Sequence, residues 1–84
     1  MNDRNLFVKM AEEGLFLLKQ AVFELLCLYK EKGLKNSEIG QALGIYDGFL
    51  DGSQKGWISR IILEKLLEDG KVRYDKISKK WFPV

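Results

Sequence analysis

One long segment without proline constrains this fold more than any other feature of the chain. Residues 5–32 are rich in leucine, phenylalanine, lysine and glutamate, which are all compatible with helix. A helix of that length runs about 42 Å, which exceeds the roughly 30 Å width of a small domain. The segment must therefore break, or part of it must project beyond the domain.

The apolar side chains of this segment lie on several sides of the helix, so one partner surface is not enough to cover them. Either Gly14 divides the segment into two helices that fold against each other, or the N-terminal half projects and pairs with a second copy. We favour the second arrangement, which makes the protein a homodimer held by its N-terminal helix. One stripe has spacings of three and four and comprises Val8, Ala11, Leu15, Leu18, Val22, Leu25 and Tyr29, while Phe7, Phe16, Leu17, Phe23, Leu26 and Leu28 lie on other sides.

Glycines mark the ends of two predicted helices. Gly33 follows the long segment and suits a helix end, because glycine accepts the left-handed conformation there. The last turn before it contains lysines, whose charge suits the negative end of a helix. A short second helix then begins with Asn36 or Ser37 as its cap and ends at Gly44. Its first turn carries Glu38, and its predicted inner face comprises Ile39, Ala42 and Leu43.

The rest of the chain predicts a loop, an amphipathic helix and a β-hairpin. Residues 45–54 are rich in turn formers and predict a loop, or a loop with one turn of helix. A third helix begins at about Ser53 or Gln54 and ends at Asp69. The expected fold class is mainly α with a small C-terminal β-hairpin (α+β). The inner side of the third helix carries Ile58, Ile62, Leu63 and Leu66, and the two strands are residues 71–74 and 80–84.

The composition argues against most enzyme chemistry. The chain has 84 residues, enough for one domain, and it contains no histidine and one cysteine. Zinc centres of the usual kind, histidine acid–base catalysis and an internal disulfide therefore lack their parts. We expect no enzymatic activity and no metal or cofactor. Cys27 lies in an apolar run and is expected in the core.

The sequence carries no recognisable membrane or secretion signal. The apolar stretch 15–29 is interrupted by Lys19, Gln20 and Glu24, and it falls short of the roughly twenty apolar residues that span a bilayer. The N-terminus lacks the basic opening and the small-residue cleavage site of a secretory signal. We expect a cytoplasmic location.

Basic residues concentrate in the C-terminal part of the chain. Residues 1–52 contain six Lys/Arg and eight Asp/Glu, a balance of −2, whereas residues 53–84 contain eight and four, a balance of +4. Such a segment suits a surface that faces a polyanion, although an ordinary solvated surface has the same composition.

Two short motifs lie at the second predicted helix and at the end of the third. Residues 38–40 read Glu-Ile-Gly and residues 42–45 read Ala-Leu-Gly-Ile, while residues 66–72 read Leu-Leu-Glu-Asp-Gly-Lys-Val. Together with the order of the elements, these motifs resemble the winged helix-turn-helix family of DNA-binding domains. The resemblance implies a single winged-helix domain with its core at residues 21–84, preceded by a helical extension at residues 1–20.

The resemblance implies that the third helix enters the major groove of DNA with its N-terminal residues. Gln54 suits an adenine edge, Arg60 suits a guanine edge, and serine or lysine side chains suit phosphates. A solvated helix face is the alternative, and Trp57 also fits a core or hydrophobic-staple position. The helix residues implied are Ser53, Gln54, Lys55, Trp57, Ser59 and Arg60.

The hairpin is the implied wing. Its turn would carry Lys76 and Lys79 to a projecting tip, where they can reach a phosphate or the minor groove. Ordinary edge strands also use lysines against aggregation, which is the alternative for these residues. Trp81 and Phe82 are expected to pack the hairpin on the helices. The candidate wing residues are Arg73, Lys76, Lys79 and Lys80.

These residues predict binding to double-stranded DNA, as a transcriptional regulator or a DNA-targeting accessory. The alternative is a winged helix that binds another protein and no DNA, which Glu64, Glu68 and the surplus apolar surface of the first helix favour. The salt dependence of binding distinguishes these two functions. DNA binding through cations weakens steeply as the salt concentration rises, whereas an apolar protein contact barely responds.

Overall fold

The computed structural model describes residues 2–48 and 54–84 as three helices, two short strands and a C-terminal hairpin. This mainly helical architecture with a terminal antiparallel hairpin confirms the predicted α+β class. Across those residues, no helix combines the length and the apolar character needed to cross a membrane. The elements are α1 (Asn2–Leu28), α2 (Asn36–Leu43), β1 (Asp47–Gly48), β2 (Gln54–Lys55), α3 (Trp57–Glu68), β3 (Val72–Asp75) and β4 (Lys80–Pro83).

The first helix, α1, is continuous through Gly14, so the predicted alternative of a break at that glycine is wrong. Residues 3–14 are exposed, and the N-terminal half of α1 therefore lies outside the core. The helix ends at Leu28, earlier than predicted, because the chain turns over residues 29–32. The Gly33 N–H closes this turn by donating to the Tyr29 carbonyl at 2.8 Å.

The C-terminal half of α1 forms one side of the core. Val22 and Leu26 have no exposed surface. Cys27, which the sequence placed in the core, is exposed. It follows Leu26 directly, and each helical residue rotates the side chain by about 100°, which is enough to turn Cys27 to the surface. The other buried hydrophobic residues of the core are Leu34, Ile39, Ile62, Leu63, Leu66, Val72 and Trp81.

The short helix α2 begins differently from the prediction. Its N-cap is Lys35, whose backbone N–H donates to the Glu38 carboxylate at 2.8 Å, so Asn36 is the first helical residue and not the cap. Ala42, predicted on the inner face, is exposed, and Gly40 is buried instead. Gly40 is buried because the side chains of Tyr46 and Ser59 pack against it.

The described residues between α2 and α3 are more regular than the predicted loop. β1 pairs with β2 in an antiparallel ladder that sets Asp47 opposite Lys55. The third helix therefore starts at Trp57, later than predicted, since Gln54 and Lys55 belong to β2. At its other end, a salt bridge of 2.7 Å joins Asp69 to Lys19 of α1.

The C-terminal hairpin is confirmed, and a residue from an earlier part of the chain extends it. β3 pairs with β4 so that Tyr74 lies opposite Trp81. On the other side of β4, Leu34 exchanges two backbone hydrogen bonds with Trp81, at 2.7 and 3.1 Å. β4 therefore lies between β3 and Leu34. The 8% exposure of Trp81 confirms that it packs the hairpin on the helices.

Two left-handed glycines, Gly33 and Gly44, provide a test of this packing. Both have φ above 70°, but only at Gly33 would a Cβ approach another residue, at 2.5 Å from the Phe82 ring. Gly44→Ala should lower the free energy of unfolding by about 1 kcal/mol, the cost of the left-handed conformation alone. Gly33→Ala should lower it by about 2–4 kcal/mol, because the ring must also move. Chemical denaturation measures both, and equal losses would contradict the close contact with Phe82.

Candidate nucleic-acid interface

A buried hydrogen-bonded cluster joins the beginnings of α2 and α3. Ser59 has no exposed surface, and its hydroxyl donates to Asn36 Oδ1 at 2.7 Å. The Asn36 side-chain amide donates to the Gly56 carbonyl at 3.0 Å. A Cβ at position 56 would collide with that same amide, so any other residue there would displace the Asn36 side chain from this bond. The cluster therefore holds the two helix starts side by side.

The burial of Ser59 corrects its assignment as a phosphate contact. A hydroxyl without exposed surface does not reach a ligand, and this one is already bonded to Asn36. Ser59 lies three residues before Ile62 and four before Leu63, and that spacing places it on the buried side of α3. The spacing was visible in the sequence, but the polar partner on α2 was not.

A groove opens between the start of α2, the exposed side of α3 and the hairpin. Lys35, Arg60 and Lys79 bring cations to it from three separate elements, and Glu64 brings a carboxylate. Opposing charges partly cancel, but the balance among these four side chains is positive. The residues that line this groove, named the basic groove below, are Lys35, Asn36, Ser37, Arg60, Glu64, Leu67, Tyr74, Lys79 and Trp81.

Arg60 and Glu64 form an ion pair on the α3 side of the basic groove. The Nε atom of Arg60 lies 3.2 Å from Glu64 Oε2, and the two side chains are 69% and 54% exposed. An ion pair so exposed contributes little to stability. Arginine has five N–H donors, of which this contact uses Nε–H. The remaining donors of Arg60 are therefore available to a ligand.

Lys79 stands at the end of a hairpin turn with a defined shape. The Asp75 carboxylate accepts a hydrogen bond of 2.6 Å from the Ser78 hydroxyl and one of 3.3 Å from the Ile77 N–H. These bonds, that of the Ser78 hydroxyl first, hold the pKa of Asp75 below its ordinary value. Lys79 itself has a left-handed φ of 61°, and its N–H donates to the Asp75 carbonyl at 2.8 Å.

The other predicted wing cations lie away from the basic groove. Trp81 lines the groove, and because neighbouring residues of a strand face opposite sides, Lys80 points away from it. Arg73, which pairs with Phe82, places its guanidinium 4.3 Å from the centre of that ring. Lys76 is exposed in the hairpin turn and does not line the groove. The structure thus brings Arg60 and Lys79 together but not all four wing residues.

Only some of the residues predicted to contact DNA from the start of α3 lie on that helix. Gln54 and Lys55 lie on β2, and Ser53 lies outside the described residues. Trp57 is in the first turn of α3 and is 59% exposed, so the alternative of a core position for it is wrong. Trp57 and Arg60 therefore remain as exposed residues of the predicted reading end.

Lys35 is the groove cation that sequence reasoning missed. It immediately precedes α2 and lies 25 residues before Arg60 and 44 before Lys79, so nothing local connects the three. The position of Lys35 just before a predicted helix could have indicated it as a binding residue. A residue at a helix N-cap lies where ligands approach the free N–H groups of the helix.

The Asn36 cluster predicts a specific loss of stability. Asn36→Ala leaves the buried Ser59 hydroxyl without its short hydrogen bond, which should lower the free energy of unfolding by about 1–3 kcal/mol. Gln41→Ala is the control, because Gln41 is exposed on the same helix and should change stability by less than about 0.5 kcal/mol. Chemical denaturation gives both values. If the two variants are equally stable, the cluster does not hold the helices.

The turn predicts how the pKa of Asp75 responds to substitution. Ser78→Ala removes the largest cause of the lowered value, so the pKa of Asp75 should rise toward the ordinary value of 3.8. A lowered folded pKa stabilises the folded state above the unfolded value and loses this contribution as pH falls through the folded value. The variant should therefore lose less stability in acid below pH 3.8 than the parent chain. NMR titration of the carboxyl carbon measures the pKa, and an unchanged value would contradict the hydrogen bond.

Comparison with protein families, with curated proteins and with solved structures finds no match for this chain. The residues of the basic groove, and the fold that brings them together, are therefore the basis for a function.

Proposed function

We propose that this chain is a winged-helix domain that binds double-stranded DNA, as a transcriptional regulator or a DNA-targeting accessory. The observation that carries the proposal is the convergence of Lys35, Arg60 and Lys79 on one groove. These cations come from the start of α2, from α3 and from the hairpin turn. Cations held at separate points on one face suit a ligand with regularly spaced negative charges, such as the DNA backbone.

The arrangement of the elements supports the winged-helix part of the proposal. Leu34, two residues before α2, pairs with β4, and the hairpin follows α3 directly. In this arrangement α3 is the recognition helix and residues 76–79 form the tip of the wing. The wing tip then lies beside the recognition helix, with the basic groove between them.

The residues of the groove divide between positioning and reading. Lys35 and Lys79 suit phosphates, because a lysine acts as a mobile point charge. Arg60 on α3 suits a guanine edge, with N–H donors beyond the one that Glu64 occupies. The exposed Trp57 ring beside it suits an apolar contact such as a thymine methyl group. Glu64 limits close approach to the first two turns of α3, since a carboxylate repels phosphate.

The proposal includes a homodimer held by α1. The support is the exposed apolar surface on the N-terminal half of this helix, where Leu6, Phe7 and Met10 are each more than half exposed. Large exposed apolar patches are typical of protein–protein contacts. Two copies would present two reading helices, which is how many dimeric helix-turn-helix proteins contact paired half-sites.

Titration of the protein into random-sequence duplex DNA at low and near-physiological salt tests DNA binding. Fluorescence anisotropy of a labelled duplex measures the binding. We expect an affinity that falls steeply as the salt concentration rises. The double variant Arg60→Ala/Lys79→Ala should bind at least about tenfold more weakly, and its log–log salt slope should fall by about 1 because the phosphate contact of Lys79 is lost.

The matched control is Arg4→Ala/Lys30→Ala, which removes the same charge from exposed positions outside the groove. It should retain most of the affinity and the salt slope, because only cations that contact the DNA release counterions. Equal weakening in both double variants would show attraction by net charge alone and would contradict the groove. Absence of binding at low salt would contradict DNA binding as such.

A protein-binding winged helix is the second candidate, and the apolar character of α3 favours it. Trp57 is 59% exposed and Ile61 is 49% exposed, and both line a shallow hollow with Arg60 and Glu64. Exposed aromatic and aliphatic side chains beside an arginine are common in protein interfaces. If Trp57→Ala binds DNA with the affinity of the parent chain, the hollow does not contribute to DNA binding. That result would favour a protein partner for the hollow.

A further inference from the structure

A second apolar stripe runs along α1, separate from the stripe that packs in the core. Its spacings alternate strictly between three and four residues from position 7 to position 28. Glu24 is the one charged residue in the series. Every member is exposed, and the large ones strongly so, with Phe7 at 63%, Leu17 at 63% and Leu28 at 73%. The members of this stripe, named the heptad seam below, are Phe7, Met10, Gly14, Leu17, Ala21, Glu24 and Leu28.

The heptad seam lies on a different side of α1 from the core. Val22 and Leu26 are fully buried, whereas Ala21 and Leu28 in the same turns are exposed. At about 100° per residue, the seam is turned roughly a third of a turn from the side that Val22 faces. The core elements therefore leave the seam open along its whole length, and not only at the projecting N-terminal half.

We propose that a second copy of this chain packs antiparallel along the heptad seam. This inference rests on the homodimer of the proposed function and specifies its surface and orientation. An alternation of three and four is the spacing at which two helices pack side by side as a coiled coil. The seam spans three heptads, about 32 Å of helix. The length exceeds what the core of one domain covers, since residues 3–14 of α1 are exposed.

The seam is complementary to itself when the two helices run in opposite directions. In a two-fold dimer, a contact from one residue to another occurs twice, with the roles exchanged. A two-fold axis next to Leu17 places Phe7 beside the partner's Leu28 and Gly14 beside the partner's Ala21. The large end residues then cover each other, and the small residues allow the helices to approach closely near the centre.

Charge favours the antiparallel orientation over the parallel one. A parallel pair in register would set Glu24 against the partner's Glu24 within the apolar seam, where like charges repel strongly. The antiparallel pair moves the two carboxylates to opposite ends. Each Glu24 then lies beside the partner's Met10, and the partner's Lys9 and the partner's Glu13 both lie within about 3 Å of Glu24, measured along the axis. The opposite charges of the partner's Lys9 and the partner's Glu13 offset each other, so the antiparallel pairing is favoured because it removes the Glu24–Glu24 repulsion.

Two adjacent residues with almost equal exposure provide a matched test of the seam. Leu17 is 63% exposed and belongs to the seam, whereas Phe16 is 64% exposed and lies on another side of α1. Leu17→Lys follows Glu13 by four residues, and Phe16→Lys follows Glu12 by four, so each new lysine suits the helix of the monomer equally well. Only Leu17→Lys places two lysines together at the two-fold axis.

Analytical ultracentrifugation of the full chain measures the effect. The parent chain and Phe16→Lys should be dimers at micromolar concentration, while Leu17→Lys should raise the dimer dissociation constant by about a hundredfold or more. Circular dichroism and thermal unfolding of Leu17→Lys show whether the monomer remains folded. A monomeric parent chain, a dimeric Leu17→Lys, or equal loss in both variants would overturn the proposal. A monomeric parent would leave the seam to a different protein.

Cross-linking tests the orientation, with Cys27→Ser as the background because Cys27 is exposed. In that background, Leu17→Cys should be joined to its copy by a short thiol cross-linker. Met10→Cys should not, since antiparallel packing separates the two Met10 positions by about 22 Å along the axis. Efficient cross-linking at Met10 would overturn the antiparallel orientation.

These measurements need no DNA, so they separate the two proposals. Loss of dimer in Leu17→Lys together with salt-sensitive DNA binding by the parent supports both. A parent chain that dimerises through the seam and binds no duplex would retain the seam and overturn DNA binding. The reverse result would retain DNA binding and overturn the seam.

Discussion

The hydrogen bond between the buried Ser59 hydroxyl and Asn36 holds together the part of the structure on which the candidate site depends. It is short, at 2.7 Å, and lies where α2 and α3 begin. A buried hydroxyl is costly without a partner, so the two helices are held at the separation at which this bond forms. Gly56 belongs to the same arrangement, because only a residue without a side chain leaves room for the Asn36 amide. The geometry of the basic groove follows from this small polar cluster.

A second constraint is the length of α1 relative to the rest of the chain. The core needs only the half of the helix that contains Val22 and Leu26, together with the elements that follow. The other half carries large apolar side chains that contact no core. Because burying such side chains is the main source of stability in a protein, a helix that exposes a regular stripe of them is suited to a partner. The helix therefore has two separate faces, one for its own domain and one that we assign to a second copy.

Pairing across the chain gives the hairpin its place beside α3. Leu34 bonds to the backbone of Trp81, and the Trp81 ring lies 4.7 Å from that of Tyr74. These contacts attach the strands to the turn before α2, so Lys79 at the hairpin turn and Lys35 at the helix start line the same groove. The positive surface is thus a product of the fold, since the chain as a whole has a formal net charge of only +2.

Local patterns predicted the elements of this protein but not the exposure of individual side chains. The left-handed glycines at positions 33 and 44, the buried stripe of α3 and the C-terminal hairpin all follow from residue type and spacing over a few neighbours. Cys27 and Ser59 were misplaced because a polar residue can be buried and a small apolar one exposed, depending on what packs against that side of the helix. The start of α3 was misplaced because Gln54 and Lys55 pair with β1, a contact that local helix propensity does not contain.

The sequence by itself determined the α+β class, the long first helix, the hairpin and the basic character of the C-terminal part, because these depend on composition and short-range spacing. Only the tertiary structure decided which cations meet. Lys35, Arg60 and Lys79 are far apart in the chain and become neighbours through the Asn36–Ser59 bond and the Leu34–Trp81 pairing. The tertiary structure also decided which stripe of α1 stays exposed, since the chain offers several apolar stripes and the core has room for one. Contacts between distant residues set both outcomes, and local sequence patterns do not encode such contacts.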